Sequence, residues 1–465
     1  MDRETKKKLD LFSIVCLIIA VYFSLYSNYS FAIYRDFSVE TINENVKEAK
    51  QNAKKRNDVD AKNKNRESCG KNFEEGSICA QNGTVLMDAC SGEILFEKGD
   101  EKIAQMASTT KIMTCVLALE NIKDMERFYK VNREAIEVEG TSMGLKKGDF
   151  VNMNGLIVGM LLLSGNDAAN ETAIRVVKEL IERGTIKLDE EEKKEMTTKK
   201  YIEKFVELMN SKALELGLKN TKFSSPSGLG PEDVLYSDKY KKNETTAKEL
   251  AILARYAMQN SVFRKVCGSV RSTVEILHEK KGKTKKEKRT YYNSNRLIKK
   301  GSGFFYKNAT GIKTGFTKEA GRCLVASAKK DGVELIAVVL KDKEDWVDCI
   351  NMFEYGFSKY EKIDVTKKIP EKDRVEKKKF KVIGLEGTDR YFTVKVEKPI
   401  KYSVLKNRLE TVEFKTKIRM NPVWFNVKED EKVGKIEYYM LTKHKKGEQT
   451  EKLIGTANLL CESVF

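Results

Sequence analysis

The segment Met106-Ala-Ser-Thr-Thr-Lys-Ile-Met-Thr114 is the most informative stretch of the chain. It places a serine and a lysine three residues apart, and apolar residues then recur at helical spacing from Ile112 to Leu119. On a helix, side chains three residues apart share one face, so the amine of Lys111 can reach the hydroxyl of Ser108. The pattern predicts a helix that begins at Ser108 and presents a serine nucleophile beside a lysine base.

Two further motifs follow at wide spacing. Ser164-Gly-Asn166 lies about 55 residues after the first motif, and Lys313-Thr-Gly315 lies about 150 residues after the second. Each motif alone is common, because chance supplies several Ser-x-x-Lys strings in a lysine-rich chain. Their order and context, with Ser164 ending an apolar helix and Lys313 preceding strand-like blocks, predict one site for acyl transfer through a serine ester.

The chemistry assigns a different task to each motif. Lys111 can accept a proton only if its amine is neutral. Burial beside a second cation favours the neutral amine, and Lys313 is the candidate for that cation. Ser164 is expected to relay a proton toward the leaving amine. Asn166 is expected to hold the substrate amide and to order Lys111. A side chain at Gly315 would block a substrate strand that lies against the sheet edge.

Composition narrows the alternatives. The two histidines, His278 and His444, both lie in lysine-rich stretches, which argues against a Ser-His-Asp hydrolase and a histidine metal site. No metal and no other cofactor is expected. The net charge of +18 suits an anionic environment such as wall polymer or a lipid surface. Because the lysines are dispersed among glutamates without an aromatic-basic motif, no nucleic acid partner is expected.

The nine cysteines contain no Cys-x-x-Cys pair, so neither a zinc ribbon nor a thioredoxin-like motif is present. Cys69 and Cys79 could bridge a short loop outside the cell, although unpaired structural thiols are the favoured interpretation. Cys115, Cys323 and Cys349 lie in apolar runs and are expected in the core.

Residues 1–32 are predicted to be a signal peptide or an N-terminal anchor. Lys6, Lys7 and Lys8 precede an apolar run of roughly 16 residues, short of the roughly 20 that usually span a bilayer, and Ser30-Phe-Ala32 offers small residues for a signal peptidase. A cleaved signal is favoured over an anchor, through which membrane association remains possible. As a signal peptide or as an anchor, this segment would direct the rest of the chain out of the cytoplasm. Residues 33–76 are predicted to be a polar, basic linker that cannot bury enough apolar surface to fold.

Residues 77–360 alternate between strand and helix patterns. The segments 83–88 and 92–96 predict a hairpin at a sheet edge, and 323–328 and 334–340 predict central strands. Helices are predicted over 201–216 and 247–258. The arrangement predicts a mixed α/β (α+β) domain of helices and an antiparallel sheet. Two charged stretches, 183–200 and 278–289, are predicted to be solvated loops rather than polymer-binding segments.

Residues 361–465 alternate as half-buried strands do, for example at 391–396, 412–418 and 433–441. Turns rich in glycine and lysine separate these blocks. A small all-β domain of about 100 residues is therefore predicted after the mixed domain.

The motifs and their surroundings resemble the D-alanyl-D-alanine carboxypeptidases of the low-molecular-mass penicillin-binding proteins, the S11 serine peptidases. The likeness covers roughly residues 77–360 and is weaker in the β-rich tail. Besides the segment 106–114, the segments that match the family are Gly144-Leu-Lys-Lys-Gly-Asp149, Leu163-Ser-Gly-Asn-Asp-Ala-Ala169, Phe205-Val-Glu-Leu-Met-Asn210, Leu216-Gly-Leu-Lys-Asn-Thr221, Gly311-Ile-Lys-Thr-Gly-Phe-Thr317 and Ala320-Gly-Arg-Cys-Leu324.

The resemblance implies a catalytic domain of the penicillin-binding-protein/β-lactamase-like fold. It implies removal of the terminal D-alanine from peptidoglycan stem pentapeptides through an acyl-Ser108 intermediate, with β-lactam antibiotics trapping the same serine. It also implies an oxyanion hole made of the backbone N–H groups of Ser108 and Phe316, and a site of action on the extracytoplasmic face of the bacterial membrane or in the wall.

Two alternatives stay open. One is a DD-endopeptidase that cuts cross-links, and the other is a non-catalytic wall-binding or β-lactam-sensing protein that keeps the fold. A class A β-lactamase fits less well, because the middle motif is Ser-Gly-Asn rather than Ser-Asp-Asn and no deacylating glutamate can be located.

The sequence departs from the family pattern at two places. Many members end in an amphipathic membrane helix, whereas here Phe465 follows a strand-like pattern. Any attachment to the membrane is therefore expected from the N-terminus. Many members also carry an arginine at the register of Asp345. Recognition of the substrate carboxylate is therefore predicted to fall to Thr314 or to Arg322, which would lie near the motif strand if the strands around the turn at 318–321 are antiparallel. A structural salt bridge on the sheet edge is the alternative role for Arg322, and a lysine such as Lys341 would then share recognition with Thr314.

Overall fold

The computed structural model describes residues 78–230, 242–280, 283–383, 390–423, 426–443 and 449–465. The predicted signal peptide or anchor, the predicted linker and Cys69 lie outside these residues, as does His444. Within the described ranges, no helix is both long enough and apolar enough to cross a membrane.

Eighteen strands occur in the described residues. In chain order they are β1 (Thr84–Asp88), β2 (Ile94–Lys98), β3 (Ala104–Gln105), β4 (Phe128–Lys130), β5 (Asp149–Asn152), β6 (Glu244–Thr245), β7 (Arg271–Lys280), β8 (Lys283–Tyr292), β9 (Ala309–Thr317), β10 (Gly321–Lys330), β11 (Val333–Val339), β12 (Tyr360–Asp364), β13 (Phe380–Lys381), β14 (Tyr391–Val396), β15 (Lys401–Leu405), β16 (Val412–Met420), β17 (Lys432–Lys443) and β18 (Gln449–Val464).

The α-helices of the described residues lie mainly between β3 and β7. They are α1 (Lys111–Asn121), α2 (Arg133–Ile136), α3 (Met153–Val158), α4 (Asn166–Glu182), α5 (Glu190–Lys194), α6 (Thr198–Glu215), α7 (Ala247–Ala257), α8 (Ser261–Cys267), α9 (Asp345–Ser358) and α10 (Val365–Lys368).

A five-stranded antiparallel sheet organises the first part of the chain, in the order β2-β1-β11-β10-β9. The predicted hairpin of β1 and β2 is confirmed, with β2 at one edge, and β10 and β11 are the predicted inner strands. At the other edge, β9 pairs only with β10 among the described strands and carries the Lys-Thr-Gly motif. That motif therefore lies on a sheet edge open to a further strand.

The two faces of this sheet bury separate apolar clusters because successive side chains alternate between the faces. On one face, Val325 and Val338 pack with α1, α4, α6 and α7 in the larger cluster. On the other face, Leu324 and Val339 pack against α9 through Trp346. The predicted core cysteines Cys115, Cys323 and Cys349 are buried free thiols, and Cys79 is an exposed free thiol.

The helix predicted to begin at Ser108 begins later. Ala107–Thr110 forms a 3-10 turn, and the α-helix starts at Lys111. Ala107 has φ +46°, in the left-handed region, so the backbone cannot be helical immediately before the serine. The tight turn still keeps the serine and the lysine on one side of the chain.

The prediction of a loop at 278–289 is wrong, because most of this stretch forms parts of the strands β7 and β8. These strands belong to a second sheet with the order β4-β5-β7-β8. Cross-strand pairs offset the repulsion among its lysines, since Lys286 Nζ lies 3.0 Å from Glu275 Oε1. His278 contacts Asp149 at 2.7 Å and Glu287 at 2.6 Å. The other predicted loop, 183–200, is largely exposed but contains α5 and the start of α6.

The C-terminal part is β-rich, as predicted. A curled antiparallel sheet has the order β13-β14-β18-β17-β16, and β12 pairs with β15 beside it. Its own apolar cluster includes the buried residues Phe392, Ile436, Tyr438 and Leu459. The described chain is thus a mixed domain with an antiparallel sheet, followed by a smaller all-β region.

Candidate active site

The serine and lysine of the first motif are in direct contact. Lys111 Nζ lies 2.8 Å from Ser108 Oγ, and the lysine side chain is completely buried. The strained φ of Ala107 turns the chain so that Ser108 projects from the 3-10 turn while Lys111 points into the core behind it. The first motif therefore presents a hydroxyl with a buried amine at hydrogen-bonding distance.

The same amine contacts two carbonyl oxygens. Lys111 Nζ lies 2.8 Å from Asn166 Oδ1 and 2.7 Å from the backbone oxygen of Ser227. The first contact joins the first motif to the second across 55 residues of sequence. Sequence reasoning missed Ser227, which belongs to no motif, although Ser225-Pro-Ser-Gly228 carries the residues of a turn.

Gly228 explains how that turn approaches the backbone next to Ser108 so closely. It has φ +88°, and a Cβ there would lie 2.1 Å from the backbone oxygen of Ala107. Only glycine allows this approach without moving one of the two backbones. The turn therefore sets the Ser227 carbonyl against Lys111.

Asn166 is itself held from both sides. Its Nδ2 donates to the backbone oxygen of Glu139 at 2.7 Å, which fixes the amide so that Oδ1 faces Lys111. The neighbouring Asp167 is fully buried and accepts backbone N–H groups of Met143 at 2.9 Å and Leu145 at 3.2 Å. The start of α4 thus ties the loop 139–145 to the site.

Ser164 lies at the end of a π turn, Gly159–Leu163, with φ +72° and ψ +30°. A serine in the left-handed conformation is uncommon, and both π turns and such strain occur frequently at functional sites. Its place two residues before Asn166 keeps it beside the buried start of α4. The structure therefore holds Ser164 in a fixed, unusual backbone conformation.

The third motif packs against the 3-10 turn Ala107–Thr110, which carries Ser108. A Cβ on Gly315 would lie 3.0 Å from the oxygen of Met106 and 3.2 Å from the nitrogen of Ser108. Next to it, the side chain of Phe316 is 66% exposed on the open edge strand. A side chain at this position would therefore require the edge strand or the Ser108 backbone to give way by a few tenths of an ångström.

Lys313 is almost completely buried, and its Nζ donates to the backbone oxygen of Thr314 at 2.8 Å. Burial lowers the pKa of Lys313 to about 7, since an apolar environment disfavours the charged form. The charge expected at this position is therefore lost progressively as the pH rises through neutrality. On the other face of the strand, Thr314 Oγ1 lies 2.9 Å from Ser294 Oγ.

Arg322 lies opposite Phe316 in the antiparallel pair of β9 and β10, so the predicted hairpin is confirmed. Its guanidinium forms an ion pair with the carboxylate of Asp345 at the start of α9. Burial raises the pKa of Asp345, and the contact with Arg322 opposes that rise. Asp345, at the register where many family members have an arginine, thus pairs with an arginine from β10.

A cavity of about 600 Å³ adjoins the start of the 3-10 turn Ala107–Thr110 and the exposed end of β9. Its polar and apolar lining comes from several loops. The lining residues are Gln105, Ala107, Glu139, Gly140, Gly228, Leu229, Gly230, Lys242, Asn243, Phe316, Thr317, Lys318 and Glu319. An extended ligand that passes Ser108 along β9 would enter this space.

Comparisons with known proteins agree with this geometry. The family model described as D-alanyl-D-alanine carboxypeptidase, Peptidase S11, matches residues 71–176 and 201–344. D-alanyl-D-alanine carboxypeptidase DacF of Bacillus subtilis strain 168 is 30% identical over 344 residues, which cover 72% of this chain and 75% of the relative.

Two comparisons involve Streptomyces K15. The D-alanyl-D-alanine carboxypeptidase of this strain is 29% identical over 286 residues, covering 59% of this chain and 87% of the relative. The crystal structure titled Streptomyces K15 DD-transpeptidase has a TM-score of 0.51 and 27% identity, and the match covers 61% of this chain and 98% of that chain.

Proposed function

Because the chain belongs to the D-alanyl-D-alanine carboxypeptidase family, Peptidase S11, we propose that it removes the terminal D-alanine from peptidoglycan stem pentapeptides through an acyl-Ser108 intermediate. One observation carries the assignment of the nucleophile. The buried Lys111 amine lies 2.8 Å from Ser108 Oγ and 2.8 Å from Asn166 Oδ1, which unites the first two motifs around one proton acceptor.

The contacts of Lys111 suit a neutral amine. A neutral amine has two N–H donors and one lone pair, and the carbonyl oxygens of Asn166 and Ser227 can only accept. A neutral Lys111 would donate to these two oxygens and direct its lone pair to the hydroxyl of Ser108, from which it would take the proton. The ammonium group formed in that step could donate to the same three oxygens, which suits the role proposed for Lys111 as the general base.

Acylation follows from these positions. Lys111 takes the hydroxyl proton, and Ser108 Oγ attacks the carbonyl carbon of the scissile D-Ala-D-Ala amide. The backbone N–H groups of Ser108 and Phe316 are proposed to stabilise the oxyanion. The C–N bond then breaks, and the proton passes by way of Ser164 to the leaving amine, so D-alanine departs and the shortened peptide remains esterified to Ser108.

Deacylation repeats the same chemistry with water. Lys111 takes a proton from a water molecule, and the resulting hydroxide attacks the ester carbonyl. The C–O bond to Ser108 breaks, and the proton returns to Oγ. The product is the tetrapeptide with a free carboxylate, and the enzyme is restored.

The substrate is proposed to lie along the open edge of β9 as an additional strand. Lys313, Thr314 and Arg322 would bind its terminal carboxylate. The cavity next to Ala107 and Phe316 would receive the stem peptide on the other side of the scissile bond. β-Lactams are expected to acylate Ser108 by the same route, since they present an amide carbonyl and a carboxylate to the same groups.

Action outside the cytoplasm agrees with the peptidoglycan substrate of the family. The basic and apolar N-terminal sequence, residues 1–32, is proposed to direct export and to be the point of any membrane association. The strongly positive chain would then face the anionic polymers of the wall.

Gly315→Ala is expected to slow acylation by about tenfold or more. The new methyl group would lie 3.0 Å from the oxygen of Met106 and 3.2 Å from the nitrogen of Ser108, so the strand or the nucleophile turn must shift. The rate constant for labelling by a fluorescent penicillin measures the effect. The control is Ala326→Gly, because Ala326 lies in the same sheet. Gly332→Ala is unsuitable because Gly332 has a positive φ. An acylation rate in Gly315→Ala equal to that of the wild type would contradict the close packing.

A decline in activity above neutral pH is expected from Lys313. Burial lowers its pKa to about 7, so the amine is protonated below that pH and neutral above it. If the charge binds the substrate carboxylate, kcat/KM falls by up to about tenfold per pH unit above 7, because this ratio reports the free enzyme. In Lys313→Arg the charge persists, so this alkaline limb should flatten. A wild-type profile that is level from pH 7 to 9 would contradict the role.

Turnover of defined peptides tests the function. A stem pentapeptide ending in D-Ala-D-Ala should release one D-alanine, whereas the matched peptide ending in D-Ala-L-Ala should not be cut. A cross-linked peptide dimer tests the endopeptidase alternative. Faster cleavage of the dimer than of the pentapeptide would overturn the carboxypeptidase assignment, and absence of any cleavage would favour a binding or sensing role.

A further inference from the structure

We propose that Arg296, outside the three motifs, is a second arginine that binds the terminal carboxylate of the substrate beside Thr314 and Arg322. The proposal rests on the proposed function and identifies a specificity-determining residue within that site. The sequence pattern did not indicate Arg296, because it lies 17 residues before Lys313 in a segment without a motif.

The position of Arg296 follows from a short series of contacts. Ser294, two residues earlier, has its Oγ 2.9 Å from Thr314 Oγ1. The guanidinium of Arg296 lies 4.4 Å from the ring centroid of Phe304, and that ring lies 6.3 Å from the ring of Trp346. Trp346 follows Asp345 directly. These contacts place Arg296 on the side of β9 that bears the Thr314 hydroxyl and the Arg322–Asp345 pair.

Arg322 reaches the same place from β10. It lies opposite Phe316, and Leu324 lies opposite Thr314, so Arg322 is the diagonal neighbour of Thr314 on one face of the sheet. Diagonal neighbours are separated by about 7–8 Å, within the reach of an arginine side chain. Arg322 and the Thr314 hydroxyl therefore share one face at this end of the open strand, and Arg296 feels the charges of Arg322 and Asp345.

The charges explain why two arginines are present. The carboxylate of Asp345 is paired with Arg322, while within the described residues Arg296 stacks on Phe304 and forms no ion pair. Burial lowers the pKa of Arg296, the nearby Arg322 lowers it further, and Asp345 raises it. Arg296 thus adds a guanidinium that no carboxylate of the described residues pairs, and an incoming carboxylate can neutralise it.

The chemistry of the ligand fits this arrangement. The terminal D-alanine carries its carboxylate one residue beyond the scissile carbonyl, and an extended ligand on β9 would place it next to Thr314. A hydroxyl and a guanidinium that is stacked on an aromatic ring form charge-assisted hydrogen bonds to a carboxylate. An unpaired Asp345 would repel the substrate carboxylate, but here Asp345 is paired with Arg322 and keeps that arginine in position.

The test compares ligands with and without the carboxylate. Wild type, Arg296→Gln and Arg322→Gln are assayed with the D-Ala-D-Ala peptide and with its C-terminal amide. The matched control is Arg271→Gln, since Arg271 is an exposed arginine at the start of β7. In both site variants kcat/KM for the free acid should fall about 10- to 100-fold, with less than a threefold change for the amide. Arg296→Lys should recover part of the preference, because it restores the charge.

A second measurement does not depend on peptidase activity. The rate of Ser108 acylation is compared for a penicillin and for its methyl ester, and the ratio of the two rates should fall at least tenfold in Arg296→Gln. A preference for the free acid that is the same in Arg296→Gln and in wild type, in both measurements, would overturn the role of Arg296. If wild type releases no D-alanine but the penicillin ratio still falls in Arg296→Gln, the proposed function fails and the carboxylate site stands.

Discussion

Ser108→Ala is expected to lower the release of D-alanine by about a thousandfold or more, because no covalent intermediate can form without the hydroxyl. The same variant should lose covalent labelling by a fluorescent penicillin. The effect should be on kcat rather than on the fold, since Ser108 projects from its turn and its Oγ contacts Lys111. Turnover is measured from D-alanine released, and labelling is measured on a denaturing gel.

Ser261→Ala is a suitable control because Ser261 is an exposed residue that begins α8. It should label and turn over like the wild type. Thermal unfolding of both variants checks that the loss in Ser108→Ala does not come from misfolding. Penicillin labelling that survives in Ser108→Ala would place the nucleophile elsewhere.

Lys111→Arg is expected to abolish acylation, again by about a thousandfold or more, because a guanidinium does not lose its proton in a protein and cannot act as a base. Lys313→Arg should retain activity within about a hundredfold of wild type, since a positive charge near the substrate carboxylate is most of the task proposed for Lys313. The two substitutions are chemically identical, so each serves as the control for the other.

The comparison is made from the rate of Ser108 acylation at pH 7 and at pH 8.5. Because burial lowers the pKa of Lys313 to about 7, the arginine variant should lose less of its rate at the higher pH than the wild type does. An equal loss in Lys111→Arg and Lys313→Arg would contradict the separate roles of the two lysines.

Much of the fold was predictable where a local pattern carries it. The hairpin of β1 and β2 and the strands β10 and β11 follow from apolar blocks between turn residues, and α6 and α7 follow from their apolar pattern, whereas α4 and α9 were not predicted. The β7–β8 hairpin was missed, because its stability depends on cross-strand partners such as Glu275 for Lys286 that the sequence does not place together. The late start of α1 reflects the left-handed Ala107, which a residue pattern does not reveal.

The site shows the same division. Contact between Ser108 and Lys111 follows from three-residue spacing, and the contact to Asn166 was expected from its motif. The Ser227 carbonyl could not be predicted, since a backbone oxygen has no residue signature and is brought in by the close approach of Gly228 to Ala107. The role proposed for Arg296 could not be predicted either, because its position depends on tertiary contacts, its stacking on Phe304 and the contact of that ring with Trp346.

The most direct measurement is mass spectrometry of the enzyme quenched by acid during turnover of a defined stem pentapeptide. The mechanism predicts a peptide containing Ser108 whose mass is increased by the mass of the pentapeptide minus the mass of one free D-alanine, together with free D-alanine in the supernatant. Lys111→Arg should show neither product. Release of D-alanine without any acyl adduct on Ser108, under conditions in which a penicillin adduct is detected, or an adduct on a different residue, would contradict an acyl-Ser108 carboxypeptidase.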